Sequence, residues 1–167
     1  MDYRYKDVGV TDETDKTYSQ WAKLVCEKII ERGYFKEGIS ICGMGIGMLI
    51  TANKSPGIFA AVCNDSYSTE RARLSNHANA ICVCACVIGP ELAKKIMKEW
   101  LSQEFHGGAS QAKVDQIAEV EHSMSGRKSC NSQRSSFENY THVLIHPIGG
   151  RVGKFLPGKK MISVVFS

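Results

Sequence analysis

Strand-like apolar runs that alternate with helix-like segments are the feature that most restricts how this chain can fold. Short runs of β-branched and small apolar residues occupy 38–42, 58–63 and 79–89, and a segment with helical character follows each of them. Parallel strands are buried on both faces, so they consist of nearly continuous apolar residues. The pattern therefore predicts an α/β fold: a three-layer sandwich with a Rossmann-like, mostly parallel sheet between two layers of helices.

Helix positions follow from apolar spacing and from residues that start or stop helices. The predicted helices cover residues 18–32, 48–54, 68–76, 90–105 and 110–122. Gly33 is a natural stop for the first helix, and Pro90 is tolerated in the first turn of the fourth. Ser66 or Ser68 is the expected N-cap of the third helix.

The chain of 167 residues divides into three parts by composition. Residues 1–122 have the length and apolar content of one α/β domain with its own core. Residues 123–139 are polar and serine-rich, which predicts a linker. Residues 140–167 form a tail with two strand-like segments that no helix follows.

Composition and charge exclude several classes of protein. The net charge of +4 is mild and the basic residues are scattered, which argues against a nucleic-acid partner. No apolar run approaches the ~20 residues that span a membrane, and the N-terminus lacks the apolar core of a signal peptide. The seven cysteines mostly lie inside apolar runs, as reduced core thiols do, so a cytoplasmic protein is expected. Cys82, Cys84 and Cys86 alternate along a predicted strand, and we interpret them as core thiols rather than metal ligands.

A cysteine followed by a glycine-rich turn is the most informative local motif. Cys42-Gly43-Met44-Gly45-Ile46-Gly47 lies where a strand ends and a helix begins. Glycines let the backbone approach a ligand, and a helix N-terminus attracts anions, so an anion- or enolate-binding loop is one interpretation. A dinucleotide fingerprint is a second, supported by Asp65 but weakened by Met48 at the third glycine position. A merely tight turn is the third.

The sequence around this turn resembles a known family. The stretch GISICGMGIGMLITANKSPGI is similar to the signature of ribose-5-phosphate isomerase B, and the likeness continues through AAVCNDSYSTERARLSNHAN, VIGPELAKKI and WLSQEFHGG. It covers about residues 7–121 in several blocks of matching order and spacing. Galactose-6-phosphate isomerase subunits share much of the same frame.

The resemblance implies a reaction and a set of site residues. Cys42 corresponds to the cysteine base that moves a proton between C2 and C1 of an open-chain sugar phosphate, such as ribose 5-phosphate. Amides of the glycine loop would hold the enediolate oxygen. The implied site residues are Cys42 as the base, Gly43, Gly45 and Gly47 as the loop, Tyr18 and Asn76 as substrate contacts, and Lys113 at the phosphate. No metal or cofactor is implied, and a homodimer is expected because a second subunit completes the family's site.

Departures from the family pattern leave other functions open. The family's opening strand and helix are missing from this chain. Ser75 stands where the ring-opening histidine is expected, and Cys86 and Ala109 stand where the family has arginines. A catalytically weakened homologue that serves as a binding or dimer-partner module is therefore one alternative, and a dinucleotide-binding enzyme is another.

The C-terminal segment offers a replacement for the missing central strand. Residues 161–167 are apolar and β-branched, a composition typical of a buried parallel strand. We hypothesise that this segment returns to the vacant position in the sheet, in its own chain or in a neighbour. The alternative is a truncated or misannotated chain whose tail is disordered.

Overall fold

The computed structural model describes residues 5–9, 16–31, 33, 37–125 and 162–166. Its strands are β1 (Tyr5–Asp7), β2 (Glu37–Cys42), β3 (Ala60–Val62), β4 (Ala80–Cys84) and β5 (Ile162–Phe166). Its α-helices are α1 (Tyr18–Ile30), α2 (Ile46–Ala52), α3 (Ser66–Leu74), α4 (Pro90–Leu101) and α5 (Gln111–Met124), with a short 3₁₀ turn at Gly108–Ser110 before α5.

The strands form one mixed sheet in the order β1-β5-β2-β4-β3. β2, β4 and β3 run parallel, and helices connect them in sequence. β5 lies between β1 and β2 and is antiparallel to both. The α/β architecture predicted from the alternating runs is confirmed.

Helices cover both faces of the sheet because successive residues of a buried strand point to opposite sides. On one face, Ile81 and Val83 of β4 pack with Ile96 and Trp100 of α4. On the other face, the alternate residues of β4 pack with α1 and α2 in two clusters. The first includes Val25, Ile29, Ala52 and Ala80. The second includes Trp21, Met48 and Cys82. These two cores make the three layers of the predicted sandwich.

The helix boundaries differ from the predicted ones by a few residues, and the differences have local causes. α3 begins earlier than expected because Asp65, rather than Ser66 or Ser68, is its N-cap: its carboxylate accepts a hydrogen bond from the Ser68 amide at 2.7 Å. α4 ends at Leu101, and the Ser102 hydroxyl then bonds the Glu99 carbonyl at 2.7 Å. α5 continues to Met124, two residues into the predicted linker.

The C-terminal strand occupies the central position proposed for it, but in the opposite direction. Ile162 pairs with Ile41 and Phe166 with Glu37, so β5 is antiparallel to β2, and the parallel orientation inferred from its composition is wrong. An apolar, β-branched composition reports burial and gives no information on direction. The other strand-like segment of the tail, within 140–150, lies outside the described residues.

None of the helices in the described part of the chain has the length and apolar character required to cross a membrane.

Candidate active site

Cys42 is the last residue of β2 and lies at the carboxyl edge of the parallel strands, where ligands bind in open α/β sheets. Its side chain is half-buried and packs against the cluster that contains Trp21, Met48 and Cys82. Its carbonyl accepts a hydrogen bond from the Ala85 amide at 2.8 Å, which extends the contact between β2 and β4 by one residue. The thiol therefore lies on a fixed backbone at the start of the glycine loop.

Gly45 is the turning point of this loop. Its φ is +72°, a left-handed conformation that glycine adopts without steric cost, and it is the N-cap of α2. A Cβ atom on Gly45 would lie 3.0 Å from Sγ of Cys82 and 3.0 Å from Sγ of Cys84. Glycine is therefore required here both by the backbone conformation and by the sulfur atoms below it.

Gly47 brings Tyr18 against the loop. A Cβ atom on Gly47 would lie only 2.6 Å from Cε2 of Tyr18, so the phenol ring rests directly on the glycine backbone. Tyr18 is the first residue of α1 and is 50% exposed, which leaves its ring available to a ligand. Thr51 of α2 reinforces the contact between the helices, since its hydroxyl donates to the Ser19 hydroxyl of α1 at 3.3 Å.

Residues at the end of β4 and just after β3 and β4 hold the loop from the other side. The Cys84 thiol donates to the Met44 carbonyl at 2.9 Å, and the Cys86 amide donates to the Gly43 carbonyl at 3.0 Å. The Asn64 side chain accepts a hydrogen bond from the Cys84 amide at 3.1 Å. Sequence reasoning missed Asn64 as a supporting residue, although its position directly after the predicted strand 58–63 was a usable signal.

The cysteines differ in their surroundings. Burial raises the pKa of the Cys82 thiol to about 12 and the pKa of the Cys63 thiol to about 11. Both thiols are thereby unsuited to act as thiolate bases near neutral pH. Cys82 and Cys84 are core thiols as predicted, but Cys86 follows the end of β4 and is exposed, so its assignment to the core is wrong.

Asn76 lies at the opposite edge of the sheet from Cys42. α3 runs back from the carboxyl end of β3, and Asn79, three residues after Asn76, accepts at its carbonyl a hydrogen bond from the Gly38 amide at 3.0 Å. Gly38 is near the start of β2, roughly 13 Å from Cys42 at the ordinary strand rise. The Asn76 side chain itself donates to the Arg71 carbonyl at 3.0 Å.

Lys113 lies on α5, and the described contacts of this helix do not join it to the glycine loop. Glu121, on the same helix α5, accepts a hydrogen bond from the Gly57 amide at 2.9 Å. Gly57 precedes β3, so this contact ties the end of α5 to the amino edge of the sheet. The structure thus brings together Cys42, the loop glycines and Tyr18, and places Asn76 apart from them, while the described contacts do not join Lys113 to the loop.

The dinucleotide interpretation is not supported by the residues that suggested it. The Asp65 carboxylate caps α3, and the hydrogen bond from the Ser68 amide holds the pKa of Asp65 below its ordinary value. Met48, at the third glycine position, is 2% exposed and packed in the core, so no close approach of backbone to pyrophosphate is built there. In the described ranges, His, Cys, Asp and Glu side chains form no group of three or more that could hold a metal ion.

Comparison with known proteins shows which family the chain resembles. Residues 1–117 match the family model described as Ribose/Galactose Isomerase. The chain is 55% identical over 93 residues to the D-erythrulose-4-phosphate isomerase of Pectobacterium atrosepticum, which covers 56% of this chain and 61% of that protein. It is 46% identical over 117 residues to the ribose-5-P isomerase B of Listeria innocua, which covers 70% of this chain and 78% of that protein.

A solved structure shows the same fold. The ribose-5-phosphate isomerase B of Clostridium thermocellum superposes with a TM-score of 0.66 at 37% identity, over 71% of this chain and 79% of that one. The family model covers most of the described domain, and the Cys42 loop lies inside the matched region. The chain belongs to the ribose/galactose isomerase family, the group of sugar-phosphate isomerases that includes ribose-5-phosphate isomerase B.

Proposed function

We propose that this chain interconverts an aldose phosphate and its ketose, with Cys42 as the base. The observation that carries the proposal is the placement of a half-buried thiol at the open end of β2, immediately before a glycine loop. The Cys42 thiolate takes the proton from C2 of the open-chain aldose, and the C2 electrons form the double bond of a cis-enediolate. Return of the proton to C1 then completes the ketose.

The glycine loop is the proposed partner for the charge that develops on oxygen. Backbone amides of the loop and the first turn of α2 are donors without helical partners, and oriented amides stabilise an enediolate oxygen without reorganisation. Tyr18, resting on Gly47, closes one side of the loop and offers a hydroxyl to the substrate. The chemistry assigned to these residues uses only proton transfer and hydrogen bonding.

A homodimer supplies the remaining contacts. Asn76 lies away from the Cys42 loop of its own subunit, so a role for it in binding substrate requires the loop of a second copy. We assign Lys113 to the phosphate at the same shared site. Large apolar side chains are exposed on and around the loop, as a surface that a second copy covers would require. They are Met44, Ile46, Ile50 and Val87, each more than half exposed.

All six cysteines in the described part of the chain are free thiols, which fits the proposed cytoplasmic location.

Two substrates of different length are candidates. Ribose 5-phosphate is the substrate that the family resemblance implies, and its five-membered ring must open before the C2 proton can be removed. Ser75 stands at the ring-opening position and cannot act as an acid or base near neutral pH. A four-carbon sugar with phosphate on C4 has no free hydroxyl that could close such a ring. Ser75 and the 55% identity to a D-erythrulose-4-phosphate isomerase favour this second candidate.

Assays of the purified full chain with both substrates test the proposal. We expect turnover of ribose 5-phosphate to ribulose 5-phosphate, or of D-erythrulose 4-phosphate to its aldose, and loss of that turnover in Cys42→Ala. Cys26→Ser is a matched thiol control, because Cys26 lies in the core where its thiol contacts the Ala52 carbonyl at 3.8 Å. An active Cys42→Ala protein would refute the assignment of the base.

Failure of both substrates would favour the weakened-homologue alternative. A folded wild-type protein that binds a sugar phosphate in calorimetry but turns over neither substrate is the result expected for a binding or dimer-partner module. Titration with NAD separates the third class, and heat from NAD binding would revive the dinucleotide interpretation that Asp65 and Met48 now oppose.

A further inference from the structure

Thiols are concentrated around the glycine loop beyond what the proposed isomerisation uses. Cys42 is the last residue of β2 and Cys84 is the last residue of β4. Cys82 lies two residues before Cys84 in the same strand, and Cys86 lies two residues after it. The proposed mechanism assigns a task to Cys42 alone.

Cys42 and Cys84 are direct neighbours across the parallel pair of β2 and β4. Lateral partners of a parallel pair point to the same face, and their Cα atoms are about 4.8 Å apart. This separation lies inside the range of about 4.4–6.8 Å found between the Cα atoms of disulfide-bonded cysteines.

The position of the Cys84 sulfur strengthens the pairing. Its thiol donates to the Met44 carbonyl at 2.9 Å, which holds the sulfur under the loop that leaves Cys42. Cys84 is 1% exposed, whereas Cys42 is half-buried, so a small oxidant reaches Cys42 first. An accessible thiol therefore lies beside a sheltered one. In redox-sensing sites, a second cysteine placed in this way reacts with the sulfenic acid of the first and forms a disulfide.

The other thiols are less well placed. Cys82 packs in the same cluster as Cys42, but its lateral partner is Ser40, two residues before Cys42, so the Cα atoms of Cys42 and Cys82 are roughly 8 Å apart, too far for a disulfide without backbone movement. Cys86 faces Gly43, since its Sγ lies 3.5 Å from the position of a Cβ on that glycine. Cys63 belongs to the core on the other face of the sheet, with Ile81 and Val83.

We propose that Cys42 and Cys84 form a dithiol site that hydroperoxides oxidise to a disulfide. The Cys42 thiolate attacks the terminal oxygen of the hydroperoxide, the O–O bond breaks, and the departing alkoxide takes up a proton to leave as an alcohol, or as water from hydrogen peroxide. The Cys84 sulfur then attacks the resulting sulfenic acid, the S–O bond breaks, and hydroxide leaves as water with the Cys84 proton. The two sulfurs together lose two electrons, which reduce the peroxide.

The consequence is reversible inactivation. A sulfur held in the disulfide cannot accept the C2 proton, so activity stops until a dithiol reduces the bond. The disulfide also keeps Cys42 from oxidation to the sulfinic acid, which thiols do not reverse. The loss of activity rests on the proposed role of Cys42, but the disulfide itself does not.

Peptide mapping of the wild-type full chain tests the disulfide without reference to activity. After treatment with hydrogen peroxide, alkylation of free thiols and digestion after Lys and Arg, we expect residues 37–54 linked to residues 74–94. Fragmentation should place the link between Cys42 and Cys84. A link from Cys42 to Cys82 or Cys86, or Cys42 oxidised to sulfinic acid with no link, would overturn the proposal.

Two alanine variants add a test of reversibility. In Cys86→Ala, peroxide should form the disulfide between Cys42 and Cys84 as in the wild type. Dithiothreitol should then restore the activity measured before peroxide treatment. In Cys84→Ala peroxide should still inactivate, but dithiothreitol should restore little of the activity because Cys42 proceeds to the sulfinic acid. Full recovery in Cys84→Ala would contradict the protective role, and wild-type mapping decides the pairing if that variant does not fold.

Discussion

Replacement of Gly45 by alanine is the perturbation for which the structure gives the clearest magnitude. Two independent costs apply at this position. The backbone has φ = +72°, where an L-residue is less stable than glycine by roughly 1–2 kcal/mol. The new Cβ would also lie 3.0 Å from two sulfur atoms in a packed region, and overpacking of this kind costs about 1–3 kcal/mol. Gly45→Ala should therefore lower the free energy of unfolding by about 2–5 kcal/mol.

Gly108→Ala is the matched control that separates the two costs. Gly108 also has a positive φ, +62°, but a Cβ atom there has no heavy atom within 4 Å. Only the backbone cost of roughly 1–2 kcal/mol applies to it. The difference between the two variants isolates the contact with Cys82 and Cys84.

Urea unfolding followed by circular dichroism measures this difference. With a slope of about 1–3 kcal/mol per molar urea for a small domain, the extra cost at Gly45 should shift the midpoint by on the order of 1 M relative to Gly108→Ala. If the two variants have free energies of unfolding within about 0.5 kcal/mol of each other, the sulfur atoms do not restrict the loop and the reasoning is wrong.

Two further changes test other parts of the structure. Arg73→Met removes the guanidinium that pairs with Glu37, and because these side chains are 13% and 20% exposed, unfolding free energy at pH 7 should fall by about 2–4 kcal/mol, near the cost for a buried pair. Burial raises the pKa of Glu37 above its ordinary value, and Arg73 partly offsets this by stabilising the carboxylate. The stability lost in Arg73→Met, measured by urea unfolding, should therefore shrink as pH falls from 7 through the Glu37 pKa, because a protonated Glu37 no longer needs the guanidinium. A loss that stays constant with pH would contradict this. Val164→Pro removes an amide from β5, which pairs with Ile39 on one side and Asp7 on the other, so thermal unfolding should show a loss of about 1–3 kcal/mol, and an unchanged melting temperature would mean that β5 does not hold its central place.

Much of the fold could be predicted because burial leaves a direct mark on composition. β4 is apolar along its whole length and all five of its residues are buried, as expected for a strand that is covered on both faces. Strand direction leaves no such mark, so the antiparallel orientation of β5 was not predictable from its residues. The caps were also mistaken, because Asp65, Ser66 and Ser68 are all good N-cap residues and only the backbone selects among them.

The candidate site was predictable where its residues adjoin in sequence. Cys42, Gly43, Gly45 and Gly47 follow one another at the end of a strand, and that context alone suggests an anion or enolate site. The distance of Asn76 from this loop follows from tertiary structure, since α3 crosses the full height of the sheet before β4 begins. Exposure of Cys86 was missed because the end of β4 is not marked by any change in composition.

Hydrogen exchange at the substrate is the most direct test of the central claim, that Cys42 transfers the proton between C2 and C1. The purified protein and a sugar phosphate that it converts are incubated in D₂O and followed by proton NMR. Wild-type protein should incorporate deuterium at the carbon that receives the proton. Cys42→Ala, shown by circular dichroism to be folded, should give no incorporation above the rate without protein. Deuterium incorporation by Cys42→Ala at the wild-type rate would show that another group is the base.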